Sequence, residues 1–248
     1  MLLNHLSMSF RSIVKHRLYS AVNMIGLAVG LAVSILIILF VSHETSFDAA
    51  VADNDRVYRL NWESNSSGSR FATFFNPLSP IIAEAHSDDV EMVTRITLSE
   101  RLLSIDDEKQ YQTIGFVDPN FFEMFPYQFL SGSSTTSLAN LNDAVLTQAA
   151  ADLLFPDVSA VGKSFTLDGQ HDFVVSAVIN NNKSNSHQVS NIFVNMEMIP
   201  VVWDDPDIWE RNFSDQLYHY VKLAPKISGD SFATKAHTYI KNNIDREY

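Results

Sequence analysis

Residues 23–44 read "NMIGLAVGLAVSILIILFVSHE", and the 18 residues from Met24 to Val41 carry no charge. As an α-helix that run is about 27 Å long, and Ala21 with Val22 extend it toward the roughly 30 Å of a bilayer's hydrocarbon. Twelve of the 18 are Leu, Ile, Val or Phe. At about −0.3 to −0.6 kcal/mol each near a helix centre, the gross insertion energy is roughly −4 to −7 kcal/mol. The run predicts one membrane crossing. A cleavable secretory leader has a shorter apolar region followed closely by a small-x-small site. Here the flank is "VSHETSFD", and the nearest such pair, Ala50 and Ala52, lies further on. A retained anchor is expected.

Before residue 42 the formal charges are Arg11, Lys15 and Arg17, all positive, while Glu44 and Asp48 follow the run. By the positive-inside rule these three cations set the topology, with the N-terminus in the cytoplasm and the rest of the chain exported. Leu3, Leu6, Phe10, Ile13, Val14 and Leu18 recur at helical spacing, with Asn4, Arg11, Lys15 and His16 on other faces. This predicts a basic amphipathic helix over residues 1–18 lying on the inner membrane surface, against the alternative of an unstructured positive leader. The membrane helix is assigned to residues 19–42 and the exported body to 43–248. Gly26 and Gly30 form a small-xxx-small pair on which another membrane helix could pack closely.

The other 14 of the 17 basic residues share the body with all 29 acidic ones, a net charge of −15. Such a body repels nucleic-acid phosphates and anionic lipid, which argues against a polynucleotide partner. The chain has no cysteine, which excludes disulfides, thiolate metal sites and a cysteine nucleophile together.

Along the body, "RVYRLNWE" alternates, with Tyr58, Leu60 and Trp62 on one face, and predicts a strand. In "NPLSPIIAEAH", Ser79 is placed as N-cap and Pro80 at the first helical position. "VEMVTRITL" and "LLSIDDEKQYQTIGFV" predict strands, the latter turned around a charged tip at Asp106 to Lys109; "DPNFFEMFP" predicts a short helix opened by Asp118 and Pro119. After the loop "SGSSTTS" come the strand "AVL" and a helix capped by Thr147, with Ala149, Leu153 and Leu154 toward a core and Pro156 ending it. "KSFTLDGQHDFVVSAVI" predicts a hairpin turning at Asp168 and Gly169. "NNNKSNSH" reads as a polar loop, "NIFVNMEM" and "LYHYVKL" as strands, and Phe232, Ala236, Tyr239 and Ile240 mark a terminal helix. The fold class is α+β: an N-terminal transmembrane helix followed by a mixed domain of short strands, hairpins and helices, either one domain or two interleaved subdomains.

Motifs with catalytic or cofactor chemistry fail on spacing. "VGKS" at 161–164 imitates the end of a phosphate-binding loop, but the position five before Gly162 is Asp157 instead of glycine, and the segment leads into a strand. His86, His171, His187, His219 and His237 are scattered, with no compact metal-ligand pattern, and read as solvated or packing residues. Ser184 or Ser186 beside His187 lacks a nucleophile elbow, and Asp106, Asp107 and Glu108 read as a wet hairpin tip. No catalytic residue, metal ligand or cofactor site is expected, so any ATP is bound by a separate subunit. Phe121, Phe122, Phe125, Tyr127 and Phe129 form the densest aromatic cluster and read as core.

The stretch "FRSIVKHRLYSAVNMIGLAVGLAVSILIILFVSHETSFD" followed by "DRVYRL" resembles the opening of FtsX/MacB-type ABC transporter permeases. "FVDPNFFEMFPYQFLSG", "AVLTQAAADLLFP", "VGKSFTLDG" and "NSHQ" follow in that family's order and approximate spacing. The resemblance implies a bacterial inner-membrane protein with a MacB-like periplasmic core domain. It also implies a permease dimer, a cytoplasmic ABC ATPase partner, and a periplasmic partner protein or exported cargo, with membrane lipid around the helix. Family permeases continue into further membrane helices and a coupling segment, so the sequence reads as the N-terminal part of such a protein. The reading from a different class is a singly anchored periplasmic binding or sensor module that needs no ATPase.

Overall fold

Residues 15–45, 54–63, 68–74, 78–156, 158–181, 190–209 and 217–243 are described by the structure, a computed structural model. The chain divides into two units, Met1–Phe47 and Asp48–Tyr248. In the first, helix α1 (Arg17–Thr45) is 29 residues, or about 43 Å, long. With no proline, its backbone groups bond within the helix, as hydrocarbon requires. Ser34 turns its Oγ onto the carbonyl oxygen of Gly30 at 2.9 Å, so that hydroxyl too is satisfied locally. No described side chain of α1 is buried. Residues 1–14, which hold Arg11 and most of the expected amphipathic helix, lie outside the described residues.

The second unit opens with short strands β1 (Val57–Arg59), β2 (Trp62–Glu63), β3 (Arg70–Phe71) and β4 (Thr73–Phe74), then helix α2 (Leu78–Ala85). The long hairpin β5 (Val90–Ile105) and β6 (Glu108–Val117) follows, with helix α3 (Phe121–Met124) and strand β7 (Phe129–Ser131) after it. Next come β8 (Asp143–Thr147), helix α4 (Gln148–Leu154), and strands β9 (Ser164–Leu167), β10 (His171–Ile179) and β11 (Ile192–Asn195). Helix α5 (Ile199–Val202), strand β12 (Leu217–Leu223) and helix α6 (Gly229–Asn243) complete it.

Six strands close a circuit. β5 pairs with β6, β6 with β11 in parallel, β11 with β8, β8 with β10 in parallel, β10 with β9, and β9 returns to β5 through Leu103↔Leu167 and Ser104↔Thr166. A closed ladder leaves these strands no free edge at the points of pairing. One face of the circuit gathers Leu103, Phe116, Leu146, Phe165, Phe173 and Val194. The other carries Val145, Ala177 and Phe193 beneath the α3 aromatics Phe121, Phe122 and Phe125. β8 and β11 are buried at every position, which is why the segments Ala144–Leu146 and Ile192–Val194 are apolar without alternation.

The two halves of β5 serve different neighbours. Val90 to Ile96 pair with β12, whereas Leu103 and Ser104 pair with β9. β12 also carries β1 and β4, and with α2 and α6 it encloses a third core of Phe74, Leu78, Ile82, Val221, Leu223 and Phe232. The expected α+β class is therefore found, as one continuous main sheet with separate cores.

Most local expectations hold, and the exceptions have causes. The β9–β10 hairpin turns where predicted, with Asp168 and Gly169 at φ of 53° and 69°, left-handed conformations that Asp and Gly tolerate. A register shift between Val175 and Ala177 sends Phe173 and Val175 to one core and Ala177 and Ile179 to the other. "RVYRLNWE" is broken at Leu60–Asn61 because β1 joins the main sheet and β2 pairs with β3. Thr147 caps α4 by accepting from Ala150 N, but Ala150, Ala151 and Leu154 face the core while Ala149 and Leu153 are exposed. "NIFVNMEM" leaves the strand after Asn195, whose side chain accepts from Glu197 N and caps a 3-10 turn. Ser79 lies inside α2 and is not its cap. The helix opened by Asp118 and Pro119 begins at Phe121.

Candidate functional site

The second unit holds a cleft of about 950 Å³ between the β1–β2 segment, β12, α2 and α6. Its apolar lining includes Phe74, Leu78, Ile82, Val221, Phe232 and Ile240; the first five of these are buried. Trp62 forms a wall, stacked on Phe71 with ring centroids 4.5 Å apart and donating from Nε1 to the Thr73 carbonyl oxygen at 3.1 Å. That bond fixes the indole's one donor, so its apolar face is what borders the cleft. Tyr58, Arg59, Asp230, His237 and Lys241 form an exposed rim.

Behind the cleft wall lies a serine–histidine pair. His219 is fully buried on β12, its Nδ1 lies 2.7 Å from Oγ of Ser79, and Phe74 meets the imidazole edge-on at 6.0 Å. Ser79 is 1% exposed, so a substrate cannot reach its oxygen. The pair is packing chemistry: two buried polar groups satisfying each other between α2 and β12. Sequence reading placed His219 among packing or solvated residues and missed its partner, 140 positions away. The alternation of "LYHYVKL", buried at Leu217, His219, Val221 and Leu223, carried the signal for its burial.

Two charged constellations hold the frame. Arg95 on β5 donates through Nε and Nη2 to the Asp118 carboxylate, at 2.9 and 2.6 Å, and Asp118 also accepts from the Arg95 backbone N at 2.7 Å. Glu197 lies 3.4 Å from the same guanidinium and accepts from Trp209 Nε1 at 3.1 Å. Burial alone would push the Arg95 guanidinium down, but the Asp118 bonds and charge, with Glu197 behind them, hold it above its ordinary value. Nearer the start of the body, Glu91 sits 2.5 Å from Arg56 and 3.1 Å from Lys222. Hydrogen bonds from Arg56 and then Lys222 hold its carboxyl below the usual carboxylate range. Arg56 also donates to the Leu223 carbonyl oxygen at 2.9 Å, fastening the entrance of β1 to β12.

Gly26 and Gly30 lie one turn apart on α1 with nothing within 4 Å of the Cβ either would carry. Lys15 is exposed and Arg17 is the first residue of α1, while Arg11 is outside the described residues. Ser184, Ser186 and His187 are likewise outside them. "VGKS" leads into β9, a strand. The cleft itself was missed, because its walls come from segments as distant as Tyr58 and Lys241.

Among the described residues no group of three or more His, Asp or Glu could hold a metal. The chain is 26% identical over 224 residues to YvrN, an uncharacterized ABC transporter permease of Bacillus subtilis, with 84% of this chain and 53% of that protein aligned. It thus spans about half the length of the curated relative it matches. Among solved structures it resembles a domain of a permease protein from Porphyromonas gingivalis, with TM-score 0.66, 17% identity, and 79% of this chain and 85% of that chain covered. The periplasmic region of MacB from Actinobacillus actinomycetemcomitans follows at TM-score 0.54 and 13% identity, covering 76% and 84%. These likenesses establish a shared fold. The family profile of the MacB-like periplasmic core domain matches residues 20–239, and the chain belongs to that family.

Proposed function

We propose that this chain is the N-terminal part of an ABC transporter permease subunit of the bacterial inner membrane. α1 anchors it with the N-terminus in the cytoplasm, and residues 43–248 form the periplasmic domain. That domain couples ATP hydrolysis by a separate cytoplasmic ATPase to export or mechanical signalling, and the subunit works as a dimer. The observation that carries this reading is the family match over 20–239, which takes in α1 as well as the body. Arg11, Lys15 and Arg17 before the apolar run, and Glu44 and Asp48 after it, support the orientation. Gly26 and Gly30 give α1 a face on which a second membrane helix can pack.

The lack of cysteine makes the orientation directly measurable. A Lys163→Cys variant should react with a membrane-impermeant maleimide once the outer barrier is opened, whereas Ser7→Cys should react only after the inner membrane is permeabilised. The reverse pattern overturns the topology. Coupling is tested by co-purifying the complete gene product with the ATPase encoded beside it; no association in detergent, with no stimulation of ATP hydrolysis, would leave the anchored sensor module as the better reading.

A further inference from the structure

β5 is shared by the two parts of the main sheet. Val90 to Ile96 pair with β12, and Leu103 and Ser104 pair with β9, so among the described residues Thr97 to Arg101 pair with β6 alone. A two-stranded stretch between wider pieces of sheet is where bending meets least resistance. On one face of this joint the α3 aromatics form a bridge, with Phe125 edge-on to Tyr220 at 5.0 Å. The other face carries Arg95 and Arg101, one at each end of the joint and six residues apart, or about 20 Å. The Arg95 guanidinium lies 5.7 Å from the ring of Trp209, and that of Arg101 lies 3.9 Å from the ring of Trp203. The two tryptophans are also six residues apart, in the opposite order. Residues 196–209 therefore run as a strap antiparallel to β5, from one end of the joint to the other.

Each end of the strap is tied to a different part of the body. Arg101 also reaches Asp168 of the β9–β10 turn at 3.2 Å, and Trp203 meets Phe116 of β6 edge-on at 5.0 Å. At the other end Trp209 donates to Glu197, Glu197 lies 3.4 Å from Arg95, and Arg95 is opposite His219 of β12 in the ladder. The strap has no ladder to a strand among the described residues. Its Trp203, Asp205 and Ile208 nitrogens donate to the carbonyl oxygens of Ile199, Pro200 and Asp205, all inside the strap. Its hold on the sheet comes from the two stacks, the Glu197 contacts, and the apolar packing of Ile199, Val202, Trp203, Ile208 and Trp209. Arginine–ring contacts are individually weak, and the Arg101 Nε is buried without a hydrogen-bond partner, which offsets part of the gain at that end. A segment held by side chains opens at lower cost than the ladders beneath it.

We propose that residues 196–209 are a releasable clamp. Closed, they fix the angle between the β12 part of the sheet and the six-strand circuit; open, they let the two parts swing about Thr97 to Arg101 of β5. The clamp is a property of the body alone and needs no ATPase, so this assignment and the permease reading stand or fall separately.

The test uses the full chain in phosphatidylcholine nanodiscs, where the absence of cysteine lets spin labels be placed at chosen sites. Thr234→Cys on α6 with Gln170→Cys at the β9–β10 turn, both exposed, reports across the joint. Lys163→Cys with Gln170→Cys reports within the circuit. A swing of about 15° moves a point about 20 Å from the joint by roughly 5 Å. Trp209→Ala and Arg101→Met each free one end of the strap. Either should broaden or shift the distance distribution across the joint by about 5 Å or more and leave the distribution within the circuit as in the parent. A second measurement keeps both stacks in place. Ile199 in the strap and Ile192 in β11 belong to one core and are 3% and 1% exposed. Under native conditions Ile199→Cys should react with a thiol reagent at least about ten-fold faster than Ile192→Cys, because the strap opens before the sheet does. Unchanged distances across the joint in both clamp variants overturn the proposal, as does equal broadening of the two label pairs, which is general loosening. Equal reaction rates for Ile199→Cys and Ile192→Cys also overturn it, since the strap would then open only with the whole body.

Discussion

A Cβ on Gly229 would lie 2.6 Å from Cε1 of Tyr58 and 2.9 Å from its Cζ. The first residue of α6 thus has no side chain because the ring of a β1 residue fills the space. The glycine is required by close approach, since Gly229 is not among the residues with positive φ. Tyr58 is held in turn, its Oη donating to the Asp55 carbonyl oxygen at 3.0 Å. The first strand and the last helix of the body are joined here.

Gly229→Ala should therefore destabilise the body by about 1–3 kcal/mol through overpacking. Tyr58 is 37% exposed and has room to swing outward, which places the expectation at the lower end. In a Tyr58→Ala background the same substitution should cost little, because the obstruction is gone. A double-mutant cycle by thermal melting checks this; equal costs in both backgrounds would rule out the ring as the cause.

The Arg95–Asp118 pair supports a second prediction. Their side chains are 11% and 12% exposed, so removing Asp118 takes away the guanidinium's buried counter-charge and leaves it the more exposed Glu197 at 3.4 Å. Asp118→Ala should cost about 3–5 kcal/mol. Arg95→Met combined with Asp118→Leu should recover much of that loss, but not all, because the Arg95 backbone N still loses its acceptor. A double variant no better than Asp118→Ala alone would mean that the loss comes from packing and not from the guanidinium's lost counter-charge.

Gly132 illustrates a different demand. Its φ is 80°, and a Cβ there would lie 2.5 Å from the Cβ of Ala177 and 3.0 Å from the Ser176 carbonyl oxygen. Strain and backbone collision combine, at the point where β7 meets the irregular register of β10. Gly132→Ala should cost at least about 2 kcal/mol, whereas Gly162→Ala, also at positive φ but with open space around it, should cost about 1. Melting temperatures of the two variants compare the contributions directly.

What the sequence reveals depends on how local the cause is. The β9–β10 hairpin is legible because Asp168–Gly169 and the alternation from Phe165 to Phe173 lie within a dozen residues. The circuit of six strands is not, because its closing pair, Leu103↔Leu167, joins residues with no shared local pattern. The buried face of α4 differs from the expected one for a related reason. Seven residues sample barely two turns, and either phase of "QAAADLL" presents apolar side chains. The cleft is assembled from both ends of the body, so only its ingredients, Trp62 and the α6 stripe of Phe232 and Ala236, could be read in advance.

The depressed Glu91 carboxyl gives a prediction in pH. Because its folded-state pKa lies below the unfolded one, its contribution to stability is present above the ordinary carboxylate range and is lost as pH falls through the folded value. The group is solvent-exposed, so the effect is small and screened by salt. Glu91→Gln should flatten the acid limb of the stability profile at low ionic strength and leave the profile at neutral and higher pH parallel to that of the parent. High salt should erase most of the difference; a change confined to alkaline pH would contradict the assignment.

In α1, helical spacing places Gly26, Gly30 and Ser34 in a row at four-residue steps, and the Ser34 hydroxyl is already engaged by Gly30. A face without bulk lets a second helix approach its backbone, and in lipid that close packing is what favours association. Gly26→Ile with Gly30→Ile should reduce self-association of the membrane helix at least about five-fold in a bilayer energy-transfer assay. The control places the same side chains on the opposite face, Ala28→Ile with Ala32→Ile, adding one carbon fewer at each site, and should leave association near the parent level. If the two pairs weaken association equally, bulk anywhere along α1 matters and the glycine face has no special part; if neither does, the subunit's contacts lie outside this helix.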